Sequence, residues 1–112
     1  VWQERGIMLN FCKEPFVGES VKENYQKLVP RIREGKRVKK GITLIAYAGN
    51  GKDLFDLIPA NEMKLSLRRE QDIHVLGIAG SREEAIWLVQ GMVMEVYGQT
   101  GGFDVRKYFG FR

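Results

Sequence analysis

Cysteine and histidine each occur once in this chain of 112 residues, and proline only three times. The lone Cys12 cannot close an intramolecular disulfide, so nothing suggests a secreted, cross-linked scaffold. One thiol and one imidazole also fall short of the roughly four ligands of a structural metal site. No apolar run approaches the ~20 residues that cross a bilayer, and no signal-peptide pattern opens the sequence. Internal repeats and low-complexity tracts are missing too. These absences predict one cytoplasmic domain over residues 1–112, with no cofactor and no membrane contact. Met8 offers an alternative start, so residues 1–7 read as an added or flexible extension.

What is present is ordinary globular composition, 44% hydrophobic and 29% charged. A chain this long should bury about two-thirds of its unfolded surface, enough for one core. Charge is unevenly spread: residues 1–40 carry ten Lys/Arg and five Asp/Glu, residues 41–112 eight and nine. The excess sits in one run, where Arg31, Arg33, Lys36, Arg37, Lys39 and Lys40 stand against Glu34 alone.

Patterning gives the elements. Residues 6–11 read as a short strand or an apolar arm. Ser20 with Glu23 forms a capping-box pattern, and Val21, Tyr25, Leu28, Val29 and Ile32 follow at helical spacing. Pro30 lacks the N–H for the Gln26 carbonyl, which predicts a kink or a second helix starting there. Gly35 suits the C-terminal cap. Residues 42–48 are apolar on both faces, as in a central strand. Asn50-Gly51 then suits a tight hairpin turn, and residues 54–59 pair back, ending at Pro59. Residues 61–69 read as a helical turn or connection, and residues 72–79 as a third strand. Ser81 and Glu84 form a second capping box, opening a helix that runs to about Tyr97 and is apolar nearly all round. The aromatic tail from Phe103 is expected to dock on the body. The fold class is therefore α+β: a small antiparallel sheet of three to four strands packed against two helices.

Gly77-Ile-Ala-Gly-Ser81, Glu83-Glu-Ala85, Val96-Tyr97, Thr100-Gly101 and Phe103-Asp-Val105, with Glu14-Pro15 and Val17-Gly-Glu-Ser20, are similar to a group of small bacterial proteins of unassigned function. That resemblance implies no catalytic role for any residue.

Candidate sites are few. Gly49-Asn-Gly-Lys-Asp53 follows a strand as a phosphate loop would, but Ala46 and Asp53 occupy the places where that loop needs Gly and Ser or Thr. Gly77 to Ser81 leads into a helix N-terminus, a natural anion site, yet Glu83 and Glu84 already fill it with negative charge. Cys12 and His74 would both be needed for a thiol dyad; His74 shares a face with Leu76 and Ile78 on a regular strand and reads as a packed residue. No catalytic site is expected, and the chain is not read as an enzyme. The basic run 31–40 could contact nucleic-acid phosphates, joined by Arg106, Lys107 and Arg112 among Tyr108, Phe109 and Phe111, where bases could stack. The other candidate is the second helix. Its apolar positions cover three sides, and one small sheet cannot contact them all. Trp87 and Met94, one heptad apart, are expected either beneath the tail or in a homodimer interface. The expected function is a non-enzymatic interaction or accessory protein; the alternative is a nucleic-acid accessory protein.

Overall fold

The computed structural model describes residues 8–48, 54–65 and 72–110. Four strands are present among them: β1 (Met8–Val17), β2 (Thr43–Tyr47), β3 (Phe55–Pro59) and β4 (Asp72–Ala79). The helices are α1 (Tyr25–Arg33), α2 (Arg82–Thr100) and the short α3 (Val105–Phe109). The α+β expectation holds. The expected Asn50-Gly51 turn, the extension 1–7 and residues 66–71 and 111–112 lie outside the described residues.

The strands form one sheet in the order β1-β4-β2-β3. β2 pairs antiparallel with β3, Ile45 opposite Leu57, as the hairpin reading requires. β4 pairs antiparallel with β2 on one side and parallel with β1 on the other. The sheet is therefore mixed rather than purely antiparallel. A hairpin fixes direction locally, whereas β1 meets a strand some sixty residues away, through partners such as Asn10 and His74. β1 is also longer than expected, and its register shifts between Phe11 and Phe16. This irregularity hides its period in the sequence, and its edge position accommodates Pro15.

The sheet separates two cores. Leu44, Ala46, Ile58, Ile73, Val75 and Ile78 line one face, which α1 and its approach cover with Val21, Tyr25, Leu28 and Ile32. Ile45, Leu76 and Ala79 line the other, covered by Ala85, Met92 and Val96 of α2 and by Val105 and Phe109 of α3. β2 thus buries both faces, as its sequence predicts. Neighbours Leu76 and Ile78 point to opposite cores because β4 carries a bulge: Ala46 pairs with Val75 while Ile45 pairs with Gly77, leaving Leu76 as the extra residue. The bulge overturns the expectation that His74, Leu76 and Ile78 share a face, since it breaks the two-residue period between them. Position 77 calls for glycine because its neighbours on both flanking strands crowd it: a Cβ would lie 2.9 Å from the Phe16 carbonyl oxygen and 3.1 Å from Ile45 Cδ1.

The helix ends differ in how well the sequence marks them. α1 continues through Pro30 rather than breaking there. It closes with Gly35 in the left-handed region, Gly35 N–H on the Ile32 carbonyl and Lys36 N–H on that of Arg31, a Schellman closure. Its start is later than expected. Residues Glu19–Val21 form a 3₁₀ turn, and Tyr25 opens the α-helix with no side-chain cap. α2 runs past Gly98 and ends on Gly101, whose φ of 74° suits glycine.

Candidate interaction surface

The start of α2 is a built junction. Ser81 Oγ accepts the Glu84 N–H at 3.1 Å, one half of the expected capping box. The other half is redirected. The Glu84 carboxylate accepts the Gly80 N–H at 2.7 Å, the Ser20 hydroxyl at 2.6 Å and the Ser20 N–H at 3.2 Å. Ser20 is therefore engaged by a residue 64 positions away instead of capping with Glu23. A Cβ at Gly18 would overlap this carboxylate, and one at Gly80 the Ser20 hydroxyl, so both glycines make room for it. The Gly80 N–H first, and then the Ser20 hydroxyl, hold the Glu84 carboxyl below its ordinary range. The junction ties β1, β4 and α2 together. The chain's own carboxylate occupies the donors that an anion would use.

The thiol and imidazole have structural surroundings. Cys12 is buried in the α2-side core, its Sγ 3.8 Å from the Leu76 carbonyl. His74 is half-buried on β4 opposite Asn10. Among the described residues no three His, Cys, Asp or Glu side chains converge as metal ligands, and no helix is long and apolar enough to cross a membrane.

The basic residues singled out in the sequence, as far as they are described, fall into two separated groups. Arg31, Arg33, Lys36, Arg37, Lys39 and Lys40 are all exposed. Arg31 Nη2 donates to the Arg37 carbonyl at 2.6 Å, Arg33 lies 5.4 Å from the centre of the Phe11 ring, and Lys36 pairs with Glu34 at 3.0 Å. Asn61 clamps the loop by bonding both the N–H and the carbonyl of Val38 at 2.8 Å. This group belongs to the α1 side of the sheet. The tail docks on the other side, as expected. Phe109 meets Phe16 edge to face, and Tyr47 donates its hydroxyl to the Gly110 carbonyl. Arg106 lies 4.8 Å from the centre of the Tyr47 ring and donates to the Ala48 carbonyl at 2.9 Å. Arg106 is thus a fastener of the tail, next to the exposed Lys107. Lys40 precedes β2 and Arg106 sits at its far end, so the groups differ in face and by about 17 Å along a five-residue strand. Arg112 and Phe111 lie outside the described residues.

Among the described residues, most of the exposed large apolar side chains gather on and beside the outward side of α2. Trp87 keeps 77% of its surface exposed and Met94 74%, with Tyr97 at 55%, Phe103 at 52% and Ile86 at 38%. At 100° per residue, Trp87 and Met94 lie opposite the buried stripe of Ala85, Met92 and Val96. The described part of the tail does not cover them. It docks at the Phe16–Tyr47 end and touches this helix's flank through the Phe103 ring, stacked on Tyr97 at 5.1 Å. Between Trp87 and Met94, and beyond, stand Gly91 and Gly98. A Cβ built on either meets nothing within 4 Å among the described residues. Glycine inside a helix costs about 1 kcal/mol relative to alanine, and no packing within the described chain calls for it at either place. Trp87 and Met94 were legible in the sequence as excess apolar surface. Gly91 falls inside the helix expected from the sequence and Gly98 just past its expected end, although their spacing to those side chains is itself a signal.

No protein-family model matches the chain, and neither do curated proteins or solved structures.

Proposed function

We propose that the protein is a non-enzymatic interaction module that docks a protein partner on the outward face of α2. The carrying observation is the exposure of Trp87 and Met94 on a helix whose own core stripe is already satisfied. A helix with apolar side chains on more than one side has more to bury than one sheet can cover, and here the described chain covers only one side of it. Trp and Met are enriched in interface cores, and an exposed apolar patch marks an interaction site more often than it marks plain surface. Nucleic-acid contact draws support only from the exposed run 31–40, because Arg106 is spent on Tyr47 and Ala48 and the basic groups do not form one face.

The test is hydroxyl-radical footprinting in intact cells against dilute purified protein, read by mass spectrometry at Trp87 and Met94. A docking surface gives several-fold less oxidation of both residues in cells, with Tyr108 on α3 as an internal reference. Equal oxidation in both settings overturns the reading.

A further inference from the structure

We infer that the occupant of this face is a second copy of the chain, its α2 packed antiparallel across a two-fold axis that passes between Gly91 and Met94. The inference rests on the docking reading above and names its partner. Three observations lead to it.

The first is spacing. Trp87, Gly91, Met94 and Gly98 are separated by four, three and four residues, the 3.5-residue period of a seam between two helices. They fall within a narrow strip on the solvent side, with open space above both glycines. Two large side chains alternate with two gaps along one line.

The second is self-complementarity. A two-fold interface brings the same patch from both copies together, so residue i meets j where j meets i. If the axis passes midway between positions 91 and 94, position 87 faces position 98 and position 91 faces position 94. Trp87 then seats on the partner's Gly98 and Met94 on the partner's Gly91, each knob in a hole. A parallel, in-register pair would instead set Trp87 against Trp87 and glycine against glycine, leaving voids beside clashes. The antiparallel arrangement also opposes the two helix dipoles. In that geometry the flanks bearing Ile86 and Tyr97 lie on one side of the seam, so Ile86 of each copy approaches the other's Tyr97–Phe103 stack.

The third is area and charge. The exposed parts of Trp87, Met94, Tyr97, Phe103 and Ile86 come to roughly 600 Å² at the usual size of such side chains. A specific interface takes about 800 Å² from each partner, and a polar rim including Gln90 and Glu95 supplies the remainder. Between Glu84 and Thr100 the only charge is Glu95, so forming the seam desolvates few charged groups.

The experiment combines sedimentation equilibrium with a register probe. The unmutated chain should be dimeric at high micromolar concentration. Gly98→Leu should raise the dissociation constant at least tenfold while the melting temperature of the resulting monomer holds or rises, since leucine favours the helix. Gln99→Leu, off the seam, should change the constant less than threefold. A photoreactive benzoylphenylalanine in place of Trp87, large enough to keep the knob, should cross-link to the partner between residues 95 and 102. A monomeric unmutated chain overturns the inference. If Trp87 and Met94 are then still protected in cells, the docking reading survives with a different partner. A dimer indifferent to Gly98→Leu, or a cross-link centred on residue 87, overturns the antiparallel seam.

Discussion

α1 and α2 cover opposite faces of the same sheet, yet they finish their outer sides differently. α1 is short and two-faced: Leu28 and Ile32 turn inward, while Arg31, Arg33 and the loop beyond it present charge to water. α2 is twice as long, and its outer side carries Trp87 and Met94, with Glu95 as the one charge in the sequence between Glu84 and Thr100. A sheet needs one apolar stripe from each helix, and α1 supplies no more than that. α2 supplies a second stripe that its own fold does not use. The docking proposal rests on this contrast: the inner side of α2 packs against the sheet, and Trp87 and Met94 on the outer side do not.

The sharpest way to break this contrast is to truncate two methionines that differ by two positions. Met92 is 2% exposed in the core beneath α2, whereas Met94 faces water. Met92→Ala should cost about 2–5 kcal/mol through lost burial and a cavity. Met94→Ala should change the stability of the monomer by no more than about 0.5 kcal/mol, as surface changes usually do. Urea unfolding at low protein concentration measures both. Equal costs would mean that the outer side is part of the fold's own core, and the distinction between the sides of α2 would fail.

A medium effect is expected at the junction that anchors α2. Glu84→Gln removes the charge from three hydrogen bonds and should cost about 1–2 kcal/mol near neutral pH. The folded state lowers the Glu84 pKa, chiefly through the Gly80 N–H. A lowered folded pKa gives stability that is complete above the ordinary carboxylate range and is lost as pH falls through the folded value. The gap in melting temperature between the two proteins should therefore be widest at neutral pH and close in acid. A gap that stays constant with pH would show that the variant's cost is steric and that the carboxylate's charge does not hold the junction.

The sequence disclosed the elements whose signals are local. Ser81 capping, the closure at Gly35, the pairing of 54–59 back on 42–48 and the apolar excess of α2 each depend on residues a few positions apart. It concealed what depends on distant partners. Ser20 and Glu84 each carried a local capping pattern, and one carboxylate took donors from both sites; only the fold brings them within 2.6 Å. The parallel placement of β1 and the bulge at Leu76 were hidden for the same reason, since both are relations between strands. The candidate surface was half legible. Large exposed side chains stand out as excess, whereas Gly91 passes unnoticed inside the expected helix and Gly98 falls past its expected end until the helix is seen to run through both.

The smallest expected effect lies on the α1 side. Replacing Lys36, Arg37, Lys39 and Lys40 together by Gln should move folding stability by about 0.5 kcal/mol or less, because these side chains are exposed and the ion pair of Lys36 with Glu34 is of the weak surface kind. Retention on heparin should fall, since any chain with a pI near 9.3 is held to some degree by charge alone. Binding to duplex or single-stranded DNA is the discriminating measurement. If the α1 side is only a solvated face, affinity at ~50 mM salt is negligible for both proteins and there is no salt slope to compare. If instead the unmutated chain binds, with a logarithmic salt slope that the fourfold replacement flattens by several units, the phosphates are reading this loop. The outer sides of both helices would then be functional surfaces. The asymmetry between them would be one of partner chemistry, a charged polymer on one face and an apolar helix on the other.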